Sequence, residues 1–219
     1  MNMQIIITIV CLGLLMWVEP ANAQRPQPQR TFRLTVGVHD HERERVSTAR
    51  VKAILKEASN VLNKCNVKLK LKGAVGSFMA PNTVPNKELL IDKKSERDAV
   101  HKVNFVVKVV EGPFFYCRGR QTVWGCSFDP LPGRQRPQRK SMIVSNPPNI
   151  KLAGKVWAHE FGHKSGLKHR NEGHALMRCL VKPANDEIND HECDCIRNGP
   201  GSCGDPVEPQ TACDEDNIR

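Results

Sequence analysis

Residues 157 to 169 read Trp-Ala-His-Glu-Phe-Gly-His-Lys-Ser-Gly-Leu-Lys-His, and within them His159, Glu160, His163, Gly166 and His169 spell H-E-x-x-H-x-x-G-x-x-H. On a helix, His159 and His163 fall one turn apart on the same face, so both imidazoles can reach a single metal ion. Glu160 follows the first of them, beside the ion rather than on it, where a carboxylate can take a proton from an attacking water. Gly166 can leave the helix with positive φ, and the turn brings His169 back as a third nitrogen ligand. Three protein ligands leave a fourth tetrahedral position open, which separates a catalytic zinc site from a structural one. A bare H-E-x-x-H arises by accident in roughly one chain in a few hundred; the added Gly and third His lower this to about one in a hundred thousand. Satisfied histidines on a buried helix would not require Glu160, Gly166 and His169 together.

Working outward, the chain opens with an apolar run from Ile5 to Val18 that ends before Ala21-Asn22-Ala23. This reads as a signal peptide over residues 1–23 with a small-residue cleavage site, too short for a membrane span. The expected location is secreted, or periplasmic in a bacterium. Of the nine cysteines, Cys11 would leave with that segment. Cys65, Cys117, Cys126, Cys179, Cys193, Cys195, Cys203 and Cys213 remain, an even number suited to disulfides in an oxidising compartment. Cys117 and Cys126 flank a short hairpin-like segment and are the first pair expected. Cys193 and Cys195 are too close to suit each other, so each is expected to pair elsewhere among Cys65, Cys179, Cys203 and Cys213.

Residues 24–30 read as an extended, disordered leader, and residues 31–219 as one domain whose part after about residue 180 is a disulfide-rich C-terminal subdomain. Phe32, Leu34, Val36 and Val38 alternate with other residues, predicting one strand with a buried face. Ser47 caps a helix in which Val51, Ile54, Leu55, Ala58, Val61 and Leu62 recur at helical spacing. Val67, Leu69 and Leu71 alternate with lysines as a second strand. Residues 76 to 100 read as loop with one short helix, and Val103 to Val110 as a strand covered on both faces. Thr122 to Phe128 reads as an edge strand or a disulfide-bound surface hairpin, Asp129 to Lys140 as a loop, and Met142 to Val144 as a short buried strand. The helix carrying the motif is predicted to begin near Leu152. Strands and helices in this order predict an α+β, α/β-like fold: a twisted, mixed, mostly parallel sheet with a long helix and an active-site helix.

After His169 comes Asn171-Glu172-Gly173-His174-Ala175-Leu176-Met177. An extended zinc motif followed by a tight turn bearing a methionine resembles the metzincin clan of metallopeptidases, and the words HEFGH, GL and ALM resemble its matrixin branch most. The resemblance implies that His159, His163 and His169 hold one zinc ion, that Glu160 is the general base, that Gly166 ends the helix, and that Met177 forms an apolar floor beneath the imidazoles. It also implies that an extended peptide adds to the edge strand above the cleft, here around Trp124, Gly125, Cys126 and Ser127. Three features depart from the family. Between Ala23 and Thr31 there is no cysteine of the kind that blocks the zinc of matrix-degrading members, so latency by that route is not expected. A His-rich segment for a second zinc is not apparent, since His39, His41, His101, His174 and His191 are scattered. The tyrosine that astacin-like and serralysin-like members place two residues after the methionine is replaced by Cys179.

The expected function is therefore a secreted, monomeric zinc endopeptidase acting on protein or peptide substrates. The alternatives are an inert zinc-binding or adhesive module on a protease scaffold, or a zinc hydrolase of a non-peptide bond. Lys and Arg number 33 against 23 Asp and Glu, a net charge of +10. Such a balance favours adhesion to anionic surfaces, and Arg134 to Lys140 is its densest patch. With seven Phe, three Trp and one Tyr, none interleaved with that patch, specific nucleic-acid binding is not expected.

Overall fold

The computed structural model describes residues 27–79, 91, 93–112, 123–127, 141–170, 173–179 and 181–199. The apolar run at residues 5 to 18, Cys117, the basic patch at residues 134 to 140, and the tail beyond Gly199 lie outside them. Among the described residues no helix is long and apolar enough to cross a membrane.

The chain starts with β1 (Arg30–Leu34) and β2 (Val36–His39), then α1 (Thr48–Val61), β3 (Val67–Leu71) and β4 (Gly76–Phe78). Next come α2 (Lys94–Lys102), β5 (Val107–Val110), β6 (Gly125–Ser127), β7 (Met142–Ser145), α3 (Ile150–Lys164) and α4 (Asp190–Asn198). A five-stranded sheet runs in the order β4-β2-β5-β7-β6, and β1 pairs with β3 in a two-stranded ribbon. Every pairing is parallel except β6 against β7. The fold is thus the expected mixed, mostly parallel sheet with helices packed on it.

Helices α1 and α3 lie together over one face of the sheet. Val51, Ile54, Leu55 and Ala58 from α1 share a core with Val156, Trp157 and Phe161 from α3 and with Val36, Val38, Val107, Val109, Met142 and Val144 from the strands. The opposite face is covered by a smaller cluster that includes Val100 of α2 with Val110, Cys126 and Ile143. Ser47 caps α1 as predicted, its hydroxyl accepting from the Arg50 N–H at 3.2 Å. Asn149 caps α3, its side-chain oxygen accepting from the Lys151 and Leu152 N–H groups at 2.8 and 3.2 Å. The site helix therefore starts at Ile150, two residues before the predicted point.

Several other boundaries differ from the sequence reading. The single strand expected over Phe32 to Val38 is two strands, because its partner changes at Thr35. Residues 30–34 pair with β3, whereas Val36 to Val38 pair with β5 and Gly37 to His39 with β4. The strand expected from Val103 covers only Val107–Val110; the ring of Phe105, just before it, packs against Gly37 and Gly76. Within residues 76 to 100, β4 is a strand in place of the expected loop, and α2 is the short helix. Helix α4 has no counterpart in the sequence reading. A reciprocal cap starts it, with Asn189 and Glu192 each accepting the other's backbone N–H at 2.8 and 2.9 Å.

Cys193 of α4 is bonded to Cys65, and Cys126, Cys179 and Cys195 are also disulfide-bonded. Ile188, Cys193, Cys195 and Ile196 join the main core. Arg197 donates to the carbonyls of Cys65 at 2.9 Å and Pro28 at 3.0 Å, which holds the segment leading into β1 against α4.

The close crossing of α1 and α3 depends on Gly154. A Cβ there would fall on Glu57 Cβ and lie 3.0 Å from the Ala58 backbone nitrogen, and backbone cannot swing aside. Gly154→Val is expected to lose about 1–3 kcal/mol by overpacking. Urea unfolding checks this, and a midpoint equal to that of the native chain would show that the crossing tolerates a larger residue.

Candidate metal centre

Helix α3 presents His159 and His163 one turn apart, as its period requires. Their ring centroids are 4.6 Å apart, and that of His169 lies 5.3 and 4.5 Å from them. One nitrogen from each of the three lies within 4.8 Å of the others, a group able to hold a metal ion. Nε2 of His163 and Nε2 of His169 are 2.9 Å apart.

The return of His169 is made by the predicted turn. Gly166 has φ of 102°, and the N–H groups of Gly166 and Leu167 bond back to the carbonyls of His163 and Gly162 at 2.9 and 3.0 Å. The chain thus leaves the helix through a glycine in the left-handed region, where a side chain would be strained.

Two of the three histidines have their orientation and tautomer set by backbone. Nδ1 of His159 lies 2.8 Å from the Leu176 carbonyl, and Nδ1 of His163 lies 2.7 Å from the Leu167 carbonyl. A carbonyl can only accept, so each Nδ1 carries the proton and each Nε2 keeps its lone pair for a metal. Burial pushes the His159 imidazole down to about 4 against the opposing pull of the Leu176 carbonyl, which keeps it neutral, as a ligand must be.

Met177 is fully buried, and its turn is anchored on several sides. The Arg170 N–H donates to its carbonyl at 3.0 Å, the Leu176 N–H donates to Glu187, and Asn185 Nδ2 donates to the Ala175 carbonyl at 2.8 Å. A Cβ on Gly162 would lie 2.5 Å from Met177 Sδ, so the second glycine of the motif region is what lets the methionine reach the helix. Neither Gly162 nor Asn185 is marked out by the sequence, because both act through contacts between segments that only the fold brings together.

Glu160 is buried, with Oε2 lacking a hydrogen-bond partner among the described residues. Burial raises its carboxyl to about 8, opposed by the Ser127 hydroxyl. An orphaned carboxylate oxygen beside three converging imidazoles is the arrangement expected where a metal and its attacking water belong, so the residues present fit a zinc ion.

The segment expected to bind substrate contains β6, which is the edge strand of the sheet among the described strands and packs on α3. Gly125, Cys126 and Ser127 pair antiparallel with Val144, Ile143 and Met142. The Trp124 carbonyl accepts from the Ser145 N–H and hydroxyl, both at 2.8 Å, while Ser127 Oγ donates to the Glu160 carbonyl at 2.8 Å. Cys126 is buried in the smaller cluster. Gly125 matters for what it lacks, since a Cβ there would fall on Cγ, Cδ and Oε1 of the Glu160 side chain. The bare backbone of β6 thus forms the wall against which the carboxylate lies.

No family model matches the chain, and no curated relative matches it. Among solved structures it is similar to metalloproteinase-II from Bacteroides fragilis, with 12% identity and a TM-score of 0.47, covering 78% of this chain and 55% of that one. It is also similar to archaemetzincin from Methanopyrus kandleri, with 16% identity and a TM-score of 0.45, covering 78% of this chain and 88% of that one. The chain thus spans about half the length of the Bacteroides protein.

The wall at Gly125 yields a test that needs no assay of function. Gly125→Ala is expected to cost about 1–3 kcal/mol in denaturant unfolding, and much less when Glu160 is already alanine. Equal costs in the two backgrounds would mean that the glycine answers to something other than the carboxylate.

Proposed function

We propose that the chain is a secreted zinc-dependent endopeptidase of metzincin type, its local motif most like that of the matrixin branch. The observation that carries this reading is the convergence of His159, His163 and His169 beside the buried Glu160 carboxylate, whose Oε2 has no hydrogen-bond partner among the described residues. His159, His163 and His169 would hold the zinc, which when bound supplies Lewis-acid polarisation of the scissile carbonyl and of water. Glu160 would take the proton of the attacking water and deliver it to the leaving amine as the C–N bond breaks. The outer edge of β6 is unpaired among the described strands, and an extended peptide added there would run past Glu160. Met177, fixed beneath α3, would keep the ligand cluster from collapsing into the core.

Glu160→Ala should retain zinc while losing essentially all peptide cleavage, and chelation of the native protein should abolish cleavage that added zinc restores. The assay is a mixed peptide library digested beside the Glu160→Ala variant. Cleavage by the variant at nearly the native rate would remove Glu160 from the chemistry. Zinc binding with no cleaved peptide from the native chain would instead favour an inert zinc-binding module or a hydrolase of another bond.

We further propose that basic charge holds the protein to anionic surfaces. Arg33, Lys68, Lys70 and Lys72 are all exposed, and the first three lie on the outward side of the β1–β3 ribbon, with Arg33 directly opposite Lys70. None of the four has an ion-pair partner among the described residues. Like charges opposed across strands repel, and an anionic partner would relieve them. The native protein should adhere to a sulfated matrix at low salt, and Lys68→Glu with Lys70→Glu should elute well before it as salt rises. Coincident elution would place the adhesion elsewhere.

A further inference from the structure

Of the three ligands, His169 is the one that α3 does not carry. Its position depends on how the chain is anchored just beyond Gly166, and the next residue, Arg170, is held through both its backbone and its side chain. The Arg170 N–H donates to the Met177 carbonyl at 3.0 Å, Nη2 donates to the Glu187 carbonyl at 3.2 Å, and Nε meets Glu192 Oε1 at 2.9 Å. Both side chains of that ion pair are largely withdrawn from water, at 12% and 6% exposure.

Glu192 is itself fixed from two directions. Its Oε2 accepts from the Asn189 N–H at 2.9 Å in the cap that starts α4, and its neighbour Cys193 is bonded to Cys65. Removing two opposite charges from water costs about as much as their attraction returns, so such a pair is a poor means of gaining stability. What it does supply is position: the contact with Glu192 is an ion pair rather than an aligned hydrogen bond of Nε, and it ties the guanidinium to α4 while Nη2 holds the Glu187 carbonyl.

We infer that Arg170 and Glu192 form a buried clamp that positions His169 as the third metal ligand, with α4 as its anchor. This rests on the metal-site reading above and adds a positioning role for two residues outside the H-E-x-x-H-x-x-G-x-x-H motif. Loss of such an outer partner typically weakens metal binding by about 10–100-fold.

The test measures Zn2+ affinity by competition with a chromophoric chelator, and the visible absorption of the Co2+-loaded protein, on the full chain. Glu192→Gln keeps the α4 cap, because the amide oxygen still accepts from Asn189, but removes the charge. Glu192→Gln and Arg170→Met should each weaken Zn2+ binding by about 10–100-fold and alter the Co2+ spectrum. The double variant leaves no buried charge unpaired and should regain part of the melting temperature, yet bind Zn2+ no better than either single change. Arg170→Lys, with charge but no fork, should fall between native and Arg170→Met. Native Zn2+ affinity and Co2+ absorption in folded variants, whatever their melting temperatures, would reduce the pair to a structural contact and overturn the proposal. Recovery of native affinity in the double variant would do the same. Failure of the native chain to bind either ion would overturn the metal-site reading itself, a result distinct from loss confined to the variants.

Discussion

The bond between His159 and the Leu176 carbonyl joins the two halves of the centre. One partner sits on a helix buried in the main core, the other in a turn that has no regular secondary structure of its own. That turn keeps its shape only because neighbouring segments supply what a helix would otherwise provide internally. Asn185, Glu187 and the backbone of Arg170 each satisfy one of its polar groups. Take away any one and a buried carbonyl or N–H loses its partner, at a cost of about 1–3 kcal/mol. The imidazole is therefore aimed by a lattice of backbone groups and not by the helix alone.

The motif and its turn are legible in the sequence because everything they need is local. Helical period places His159, Glu160 and His163, and a single glycine places His169. The amphipathic period of α1 and its Ser47 cap are local in the same sense. The break between β1 and β2 is not: Phe32, Leu34, Val36 and Val38 keep one alternation across Thr35, and only the identity of the neighbouring strands divides them. Helix α4 is hidden for another reason. Its segment is dominated by acidic residues and cysteines, so its periodicity is faint until the disulfide to Cys65 and the Asn189–Glu192 cap are seen.

The edge strand β6 joins two demands that pull against each other. The peptide-binding role proposed for it requires an unpaired outer edge, and unpaired edges invite unwanted association. Here β6 is only three residues long, and its inner side is tied to α3 through Ser127. Gly125 further lets the strand approach the helix closely enough to enclose the Glu160 side chain. No pattern in the neighbouring residues announces that contact, since the glycine and the glutamate belong to different elements.

The pairing of Cys65 with Cys193 and the hold of Arg197 on Pro28 bring early and late segments of the described chain into one knot. Tension applied along the polypeptide from either side would meet this knot before it reached the sheet. Force from the late side would load the Cys65–Cys193 bond first and force from the early side the Arg197–Pro28 anchor, leaving the three imidazoles, inside the loop that the disulfide closes, unstressed. Mechanically, the molecule resembles a loop closed by a buckle, with its three converging histidines on the slack side.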